Sequence, residues 1–213
     1  MKSGVVLISG RGSNMRSIVE ARTGLEVRGV ISNRPDAPGL EWARSQGIPA
    51  VALDHKAHPS REAFDEALAA QVDRLAPDLV LLAGFMRILS PAFIGRFPRR
   101  ILNIHPSLLP SFPGLHTHKR ALEAGVKLHG CTVHVVTPEL DSGPIVAQAA
   151  VPVMAEDTEE ALAARVLASE HRIYPQAVRW FLEDRVEFLA GDVVRVRGSG
   201  VSGDWICAPR DPR

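Results

Sequence analysis

Apolar residues in this chain fall into short runs, and the spacing inside the runs changes from one stretch to the next. Residues 5–9, Val-Val-Leu-Ile-Ser, are nearly all apolar and close on Gly10-Arg11-Gly12-Ser13-Asn14, which predicts a buried strand entering a tight turn. Residues 15–21 then read as helix. A second β-branched run at 27–32 ends at Asn33-Arg34-Pro35, and residues 40–46 suggest a short helix stopped by Gly47. Residues 50–53 are a third strand candidate. Ser60 is placed to cap a helix over 61–76, where Ala63, Phe64, Ala67, Leu68 and Leu75 recur with the 3.6-residue period. Residues 78–82 include Leu-Val-Leu-Leu, a continuous run suited to a strand covered on both faces. Strand and helix alternate, so right-handed crossovers and a parallel sheet are expected.

The second half has a different style. Residues 101–104 read as a strand running into His105-Pro106. Residues 106–114 hold Pro106, Pro110, Pro113 and Gly114, which predicts a fixed loop. Residues 132–136 and 144–151 are further strands, separated by Thr137-Pro138-Glu139-Leu140-Asp141-Ser142-Gly143. A long helical segment covers 158–182, with Pro175 expected to kink or split it. Residues 193–196 and Trp205-Ile206 suggest a terminal hairpin, and residues 209–213 a frayed end. No internal repeat or long linker interrupts the pattern. The expected class is α/β: a Rossmann-like fold with a mostly parallel central sheet, helices on both faces and a small C-terminal hairpin.

Composition narrows the functions. A chain of 213 residues suits one or two domains. Hydrophobic residues at 46% and charged residues at 23% exclude disorder and fibrous folds. A formal net charge of +1 leaves no electrostatic footprint for nucleic acid. Cys131 and Cys207 are too few for a disulfide framework and fit a reducing compartment. The first apolar run is too short for a signal peptide, and no apolar stretch is long enough to span a membrane. The reading is a soluble, cytoplasmic protein with no membrane or nucleic-acid partner, either a monomer or a homodimer.

The glycine turn at 10–14 does not fit the common nucleotide fingerprints. A dinucleotide site would want a third glycine where Met15 stands and an acid after the second strand, where Arg34 stands. A P-loop would want Gly-Lys-Ser/Thr. Two readings remain. Backbone N–H groups at a helix start opened by a glycine turn, with Ser13 and Asn14 as added donors, suit one phosphate monoester, or the turn is a plain strand-to-helix connection capped by Ser13 or Asn14.

Asn103 and His105 are two apart at a strand end, so they share a face at the carboxyl edge where α/β sites gather. An amide donor beside an imidazole suits a developing oxyanion, and His can also move a proton. A capped strand end with a solvated His is the plain alternative. Asp141 lies in a loop bounded by Pro and Gly. A carboxylate beside an imidazole stabilises its charged form and orients the ring, although an ordinary turn aspartate fits equally. His116, His118, His129, Cys131 and His134 crowd in sequence. Strand alternation, however, turns Cys131 away from Thr132 and His134, so no metal is expected. No Gly-x-Ser-x-Gly elbow is present, and Ser107 follows His105 too closely for a triad. Any chemistry is then direct attack by the substrate's own nucleophile.

Taken together, Ile8-Ser9-Gly10-Arg11-Gly12-Ser13-Asn14, Ala83-Gly84-Phe85-Met86-Arg87-Ile88-Leu89-Ser90, Asn103-Ile104-His105-Pro106-Ser107-Leu108-Leu109-Pro110 and Pro113-Gly114-Leu115-His116-Thr117-His118 resemble the glycinamide ribonucleotide formyltransferase family. So do Gly130-Cys131-Thr132-Val133-His134, Glu139-Leu140-Asp141-Ser142-Gly143-Pro144 and Glu170-His171. The likeness runs in order from about residue 4 to residue 182. It implies a formyltransferase fold and transfer of a formyl group from 10-formyltetrahydrofolate, as co-substrate, to the glycyl amine of glycinamide ribonucleotide. The small-molecule ribonucleotide would be held through its phosphate at Gly12, Ser13 and Asn14, with Glu170 on the same substrate. Asn103, His105 and Asp141 would be catalytic, with Thr132 and His134 lining that site. Thr132 stands where the family often has Ser, which keeps the hydroxyl. Met86, Arg87, Ile88, Leu89, Glu139 and Leu140 would flank the folate pterin, with Arg61, Asn103 and Asp141 as further folate contacts.

The resemblance also implies one domain over 1–190, with 1–100 as the ribonucleotide half and 101–190 as the catalytic and folate half; 191–213 would be hairpin and tail. Methionyl-tRNA formyltransferase shares the Asn/His/Asp trio but usually carries a further carboxy-terminal domain, and only residues 183–213 follow the long helix. Formyltetrahydrofolate deformylase normally has an amino-terminal regulatory domain, and the first strand here begins by Val5. The reading from another class, a non-catalytic Rossmann-type nucleotide-binding module, leaves Asn103, His105 and Asp141 unexplained.

Overall fold

The computed structural model describes residues 1–199 and a short strand at 207–208. It divides into two compact units, the first made of residues 1–103 with 136–138 and the second of 104–135 with 139 onward.

The first unit is built on parallel strands β1 (Ser3–Ile8), β2 (Glu26–Ser32), β3 (Ala50–Ala52) and β4 (Leu79–Leu82), with the start of β5 (Ile101–His105). Their order is β5-β4-β1-β2-β3, and every pairing is parallel. Four helices alternate with them: α1 (Ser13–Glu20), α2 (Pro38–Ser45), α3 (Arg61–Leu75) and α4 (Pro91–Arg96). The reason lies in the continuous apolar runs. All six residues of β1 and all four of β4 are buried, as central parallel strands require. On one face, Val5, Leu7, Val80, Leu82 and Ile101 meet Phe64, Leu68 and Val72 of α3 with Phe93 and Ile94 of α4. Each such side chain removed from water contributes roughly 1.5–3 kcal/mol. The opposite face, with Val6 and Ile8, is closed too; Ile8 lies against the start of α2. Ser60 caps α3 as its position predicts, accepting the Ala63 N–H at 3.1 Å.

The second unit is antiparallel. Strands β6 (Leu128–Val135) and β7 (Ile145–Pro152) pair with Thr132 opposite Gln148, and the ladder is irregular between Val133 and His134. The extra residue is Val146 on β7, so β6 itself runs on without insertion through residues 131–134. Helix α5 (Thr117–Glu123) follows the loop after β5, and α6 (Glu159–Leu182) packs against β6 and β7. Thr158 caps α6 through the Ala161 N–H at 3.2 Å. Leu162, Val166, Ile173, Ala177 and Trp180 give α6 a buried stripe at helical spacing. The helix is not split at Pro175: α6 is one helix of 24 residues with Pro175 inside it. The missing N–H is tolerated in a segment whose neighbours Ile173, Tyr174, Ala177 and Val178 are fully buried.

The C-terminal hairpin differs from expectation. Strand β9 (Val194–Val196) pairs antiparallel with β8 (Val186–Phe188), upstream of it. The cause is the turn: Gly191 and Asp192 both have positive φ, 74° and 57°, and Leu189 donates to the Val193 carbonyl at 2.8 Å. Trp205 and Ile206, the expected partners, lie outside the described residues, as do residues 209–213. Strand β10 (Cys207–Ala208) pairs with β7. Among the described residues no helix is long and apolar enough to cross a membrane.

Candidate active site

In the first unit, the loops leaving β1 and β4 run side by side because those strands are parallel neighbours, and the Ser9 N–H donates to the Gly84 carbonyl at 3.1 Å. They enclose a cavity of about 400 Å³ lined by residues 9–14, Asn33, Arg34, His55, Ala83, Gly84, Met86 and Arg87. The wall carries three arginines and no carboxylate. Gly12 is the N-cap of α1, with φ 68° and ψ 36°, a left-handed conformation suited to glycine. Neither Ser13 nor Asn14 is the cap, no side chain caps this helix, and its first turn has no acid. The helix start therefore leaves backbone donors and the positive dipole end for an anion.

Four residues that sequence reasoning passed over shape this cavity. Ser9 Oγ donates to Asn33 Oδ1 at 2.6 Å and accepts the Met86 N–H at 2.8 Å, tying the two loops together. His55 Nδ1 lies 2.8 Å from the Asn33 carbonyl, which can only accept, so Nδ1 carries the hydrogen. Gly39 lets α2 press on the turn, since a Cβ there would reach Gly10 O at 3.0 Å. Its available signal was Pro38-Gly39 just before the helix read over 40–46.

In the second unit, His105, His134 and Asp141 come together. His105 ends β5 and is 6% exposed. Its Nε2 lies 3.0 Å from the Phe112 carbonyl, so Nε2–H donates there. That leaves Nδ1 facing Asp141 Oδ2 at 3.5 Å, with both side chains buried. Asp141 adopts a left-handed backbone, φ 50°, and its Oδ2 also accepts the Gly114 N–H at 2.8 Å. His134 Nδ1–H donates to the Val135 carbonyl at 3.1 Å, turning Nε2 to Asp141 Oδ1 at 3.8 Å. Burial holds the His134 pKa below the ordinary value, outweighing the Val135 carbonyl and the Asp141 carboxylate. His134 is thus neutral near pH 7, with its proton on Nδ1. The cluster offers an imidazole fixed at one nitrogen and a carboxylate fixed by a backbone N–H, an arrangement able to move protons and stabilise a developing oxyanion.

The loop after His105 is braced by more imidazoles. His129, 1% exposed, meets His118 edge-on at 5.3 Å and Phe112 at 5.9 Å. Burial, then the His118 imidazole, lower the His129 pKa to about 4; burial also lowers that of His118.

The remaining expected site residues are placed as follows. Asn103 precedes His105 by two on β5. Thr132 is inaccessible, and its hydroxyl is taken up by the Ser107 and Leu109 backbone. Met86 and Ile88 are exposed at 71% and 55%, Leu89 is buried in the core, and Arg87 lies 4.8 Å over the Phe64 ring. Arg61 opens α3, half exposed, with Nε 3.4 Å from Glu62. Glu139 and Leu140 are exposed, and Glu170 is buried on α6. Among the described residues no group of three or more His, Cys, Asp or Glu converges as a metal would require. Cys131 is buried.

A model of the formyl transferase family matches residues 2–178. The chain is 53% identical over 187 residues to phosphoribosylglycinamide formyltransferase of Escherichia coli (strain K12), covering 86% of this chain and 88% of that protein. It is 45% identical over 179 residues to the trifunctional purine biosynthetic protein adenosine-3 of Drosophila melanogaster, covering 81% of this chain and 13% of that much longer one. The crystal structure of glycinamide ribonucleotide transformylase 1 from Symbiobacterium toebii superposes with a TM-score of 0.89 at 52% identity, over 92% of this chain and 94% of that one.

Proposed function

The chain belongs to the formyl transferase family and performs the phosphoribosylglycinamide formyltransferase step of purine biosynthesis with a folate-derived formyl donor; from that premise we propose how its residues carry the reaction. The donor is 10-formyltetrahydrofolate. The glycyl amine of the ribonucleotide attacks the formyl carbon, and the carbonyl oxygen becomes a tetrahedral oxyanion. Asn103 donates its amide to that oxygen. His105, once it has taken up a proton at Nδ1, supplies that proton; its ring is held by Phe112 at Nε2, and Nδ1 faces Asp141. Collapse breaks the bond to the folate N10, which takes up a proton as the attacking amine loses one. Asp141 assists that exchange, and His134 lines its far side.

The first unit serves as the ribonucleotide half, with the phosphate on Gly12, Ser13 and Asn14 in the arginine-lined cavity. Met86, Arg87, Ile88, Leu89, Glu139, Leu140 and Arg61 serve the folate. Leu89, buried in the core, contributes through its backbone. Thr132 acts on the loop that follows His105 rather than on substrate, because its hydroxyl is already engaged. No step calls for a metal, and the enzyme acts in the cytoplasm. The observation that carries the reading is the buried His105–Asp141 pair, 3.5 Å apart, with the imidazole oriented from both sides.

The test supplies 10-formyltetrahydrofolate with the ribonucleotide, with initiator methionyl-tRNA, or with water alone. Turnover with the ribonucleotide only is expected. His105→Ala and Asp141→Asn should each lower kcat by roughly 10²-fold or more. Near-normal turnover by either purified variant removes that residue from the mechanism.

A further inference from the structure

Gln148 on β7 faces Thr132 on β6 across the ladder. Its Nε2 donates to the Leu109 carbonyl at 2.8 Å and to Thr132 Oγ1 at 3.0 Å. Thr132 Oγ1 gives its one hydrogen to the Ser107 carbonyl at 2.7 Å and accepts the Leu109 N–H at 3.0 Å. A hydroxyl has one donor and two acceptor sites, so these contacts use it completely. Two side chains on adjacent strands thus hold both ends of the turn at 107–109. The same turn is closed by Ser107 Oγ on the Ser111 carbonyl at 2.7 Å and by the Ser111 N–H on Leu108 at 2.9 Å. The next residue, Phe112, presents the carbonyl that takes His105 Nε2–H.

We infer that Gln148 is a positioning residue for the transfer reaction: acting through Thr132 and the 107–111 turn, it sets the Phe112 carbonyl and thereby the hydrogen on His105 Nε2. The inference rests on the proposed role of His105 as proton donor. Without the amide, the Leu109 carbonyl and one Thr132 lone pair lose their donor inside the protein, and the turn must move to find others. A shift of that carbonyl frees His105 to rotate or to place its hydrogen on Nδ1, facing Asp141. Misplacement by about 1 Å at a catalytic group costs up to roughly 10²-fold in rate.

Gln148→Leu keeps the side-chain bulk and removes the donor. The expected result is a kcat lowered about 10-fold or more with the ribonucleotide KM within about 3-fold, and an altered pH profile of kcat. In ¹⁵N NMR of the imidazoles, His105 should report hydrogen on Nε2 in the wild type and a mixture of tautomers in the variant. If Gln148→Leu fails to fold, Gln148→Met, unbranched and close in length, is measured instead. A folded variant with wild-type kcat and pH profile overturns the inference. So does a rate loss matched by lost folded fraction with unchanged His105 signals. His105→Ala runs alongside: full turnover there refutes the catalytic reading of His105, while the NMR comparison still decides whether Gln148 governs the ring.

Discussion

Acidification should unfold this protein through one buried ring, His129. The ring is 1% exposed, and burial together with the His118 imidazole at 5.3 Å lowers its pKa from 6.5 to about 4. A base with a depressed native pKa is protonated first in the unfolded chain. Above pH 6.5 both states are neutral at this position and nothing is lost. Between about 6.5 and about 4 the unfolded chain takes up a proton that the native state refuses, so stability falls with pH. Below about 4 both states carry the proton and the loss levels off. The gap between 6.5 and about 4 corresponds to a ceiling of about 3 kcal/mol, of which about 2.5 kcal/mol is reached at pH 4.5. The perturbation is His129→Phe, which keeps an aromatic ring against Phe112 and His118 but cannot bind a proton. Urea unfolding of both proteins at pH 8, 5.5 and 4.5 separates this contribution from every other titrating group. The variant should lose about 2.5 kcal/mol less than the wild type between pH 8 and 4.5. Parallel pH profiles, or an NMR titration placing His129 near 6.5, would refute the reasoning.

Other outcomes follow from single positions. Gly12→Val puts a β-branched residue at φ 68° and a Cβ 2.9 Å from Met15 Cε, a strain of about 1–3 kcal/mol at the start of α1. Calorimetry should find ribonucleotide affinity reduced about 10-fold or more, and an unchanged Kd would remove the turn from the phosphate site. Gly130→Ala drives a Cβ into the Ala149 carbonyl oxygen and to 2.9 Å from Leu108 Cδ2, so β6 and β7 must part. Denaturant unfolding should show a loss of about 3 kcal/mol, and a loss under about 0.5 kcal/mol would mean that the ladder yields freely. Arg61→Ala removes a half-exposed side chain whose pairing with Glu62 adds little stability. It should raise the KM for the folate donor with little change in Tm, whereas unchanged KM for both substrates speaks against a ligand role.

Elements with local signals were legible in the sequence. The apolar runs at 5–8 and 79–82 are buried strands, and Ser60 caps the helix whose period it precedes. Helix α4 was passed over although Ser90 caps it and Pro91 is its first residue, because six residues are too few to display a period. Strand β8 was missed for the same reason, and with it the partner of β9. The dipeptide Gly191-Asp192 was the available signal, since it can supply two consecutive positive φ values. Of the kink or split expected at Pro175, the split is absent, because a helix packed along its whole buried stripe can carry a proline.

The site was legible only as residue types. His105 and Asp141 are 36 positions apart, and no spacing rule brings them to 3.5 Å; the two loops that do so, after β5 and after β6, pass through left-handed backbone at Phe112, His116 and Asp141, a strained conformation for non-glycine residues. The partner that orients His105 is a main-chain carbonyl, which every residue possesses and no letter reveals. Its supports do have identities. Thr132 was singled out as lining the site, and Gln148 lay unremarked inside the strand candidate 144–151. Their meaning came with the register that sets them opposite each other beneath the turn. A serine at 132 would offer the same donor and acceptors to Ser107 and Leu109, so the threonine found here is physically a neutral choice. Removing the amide at 148 has no such equivalent, because it takes away the donor that the Leu109 carbonyl uses.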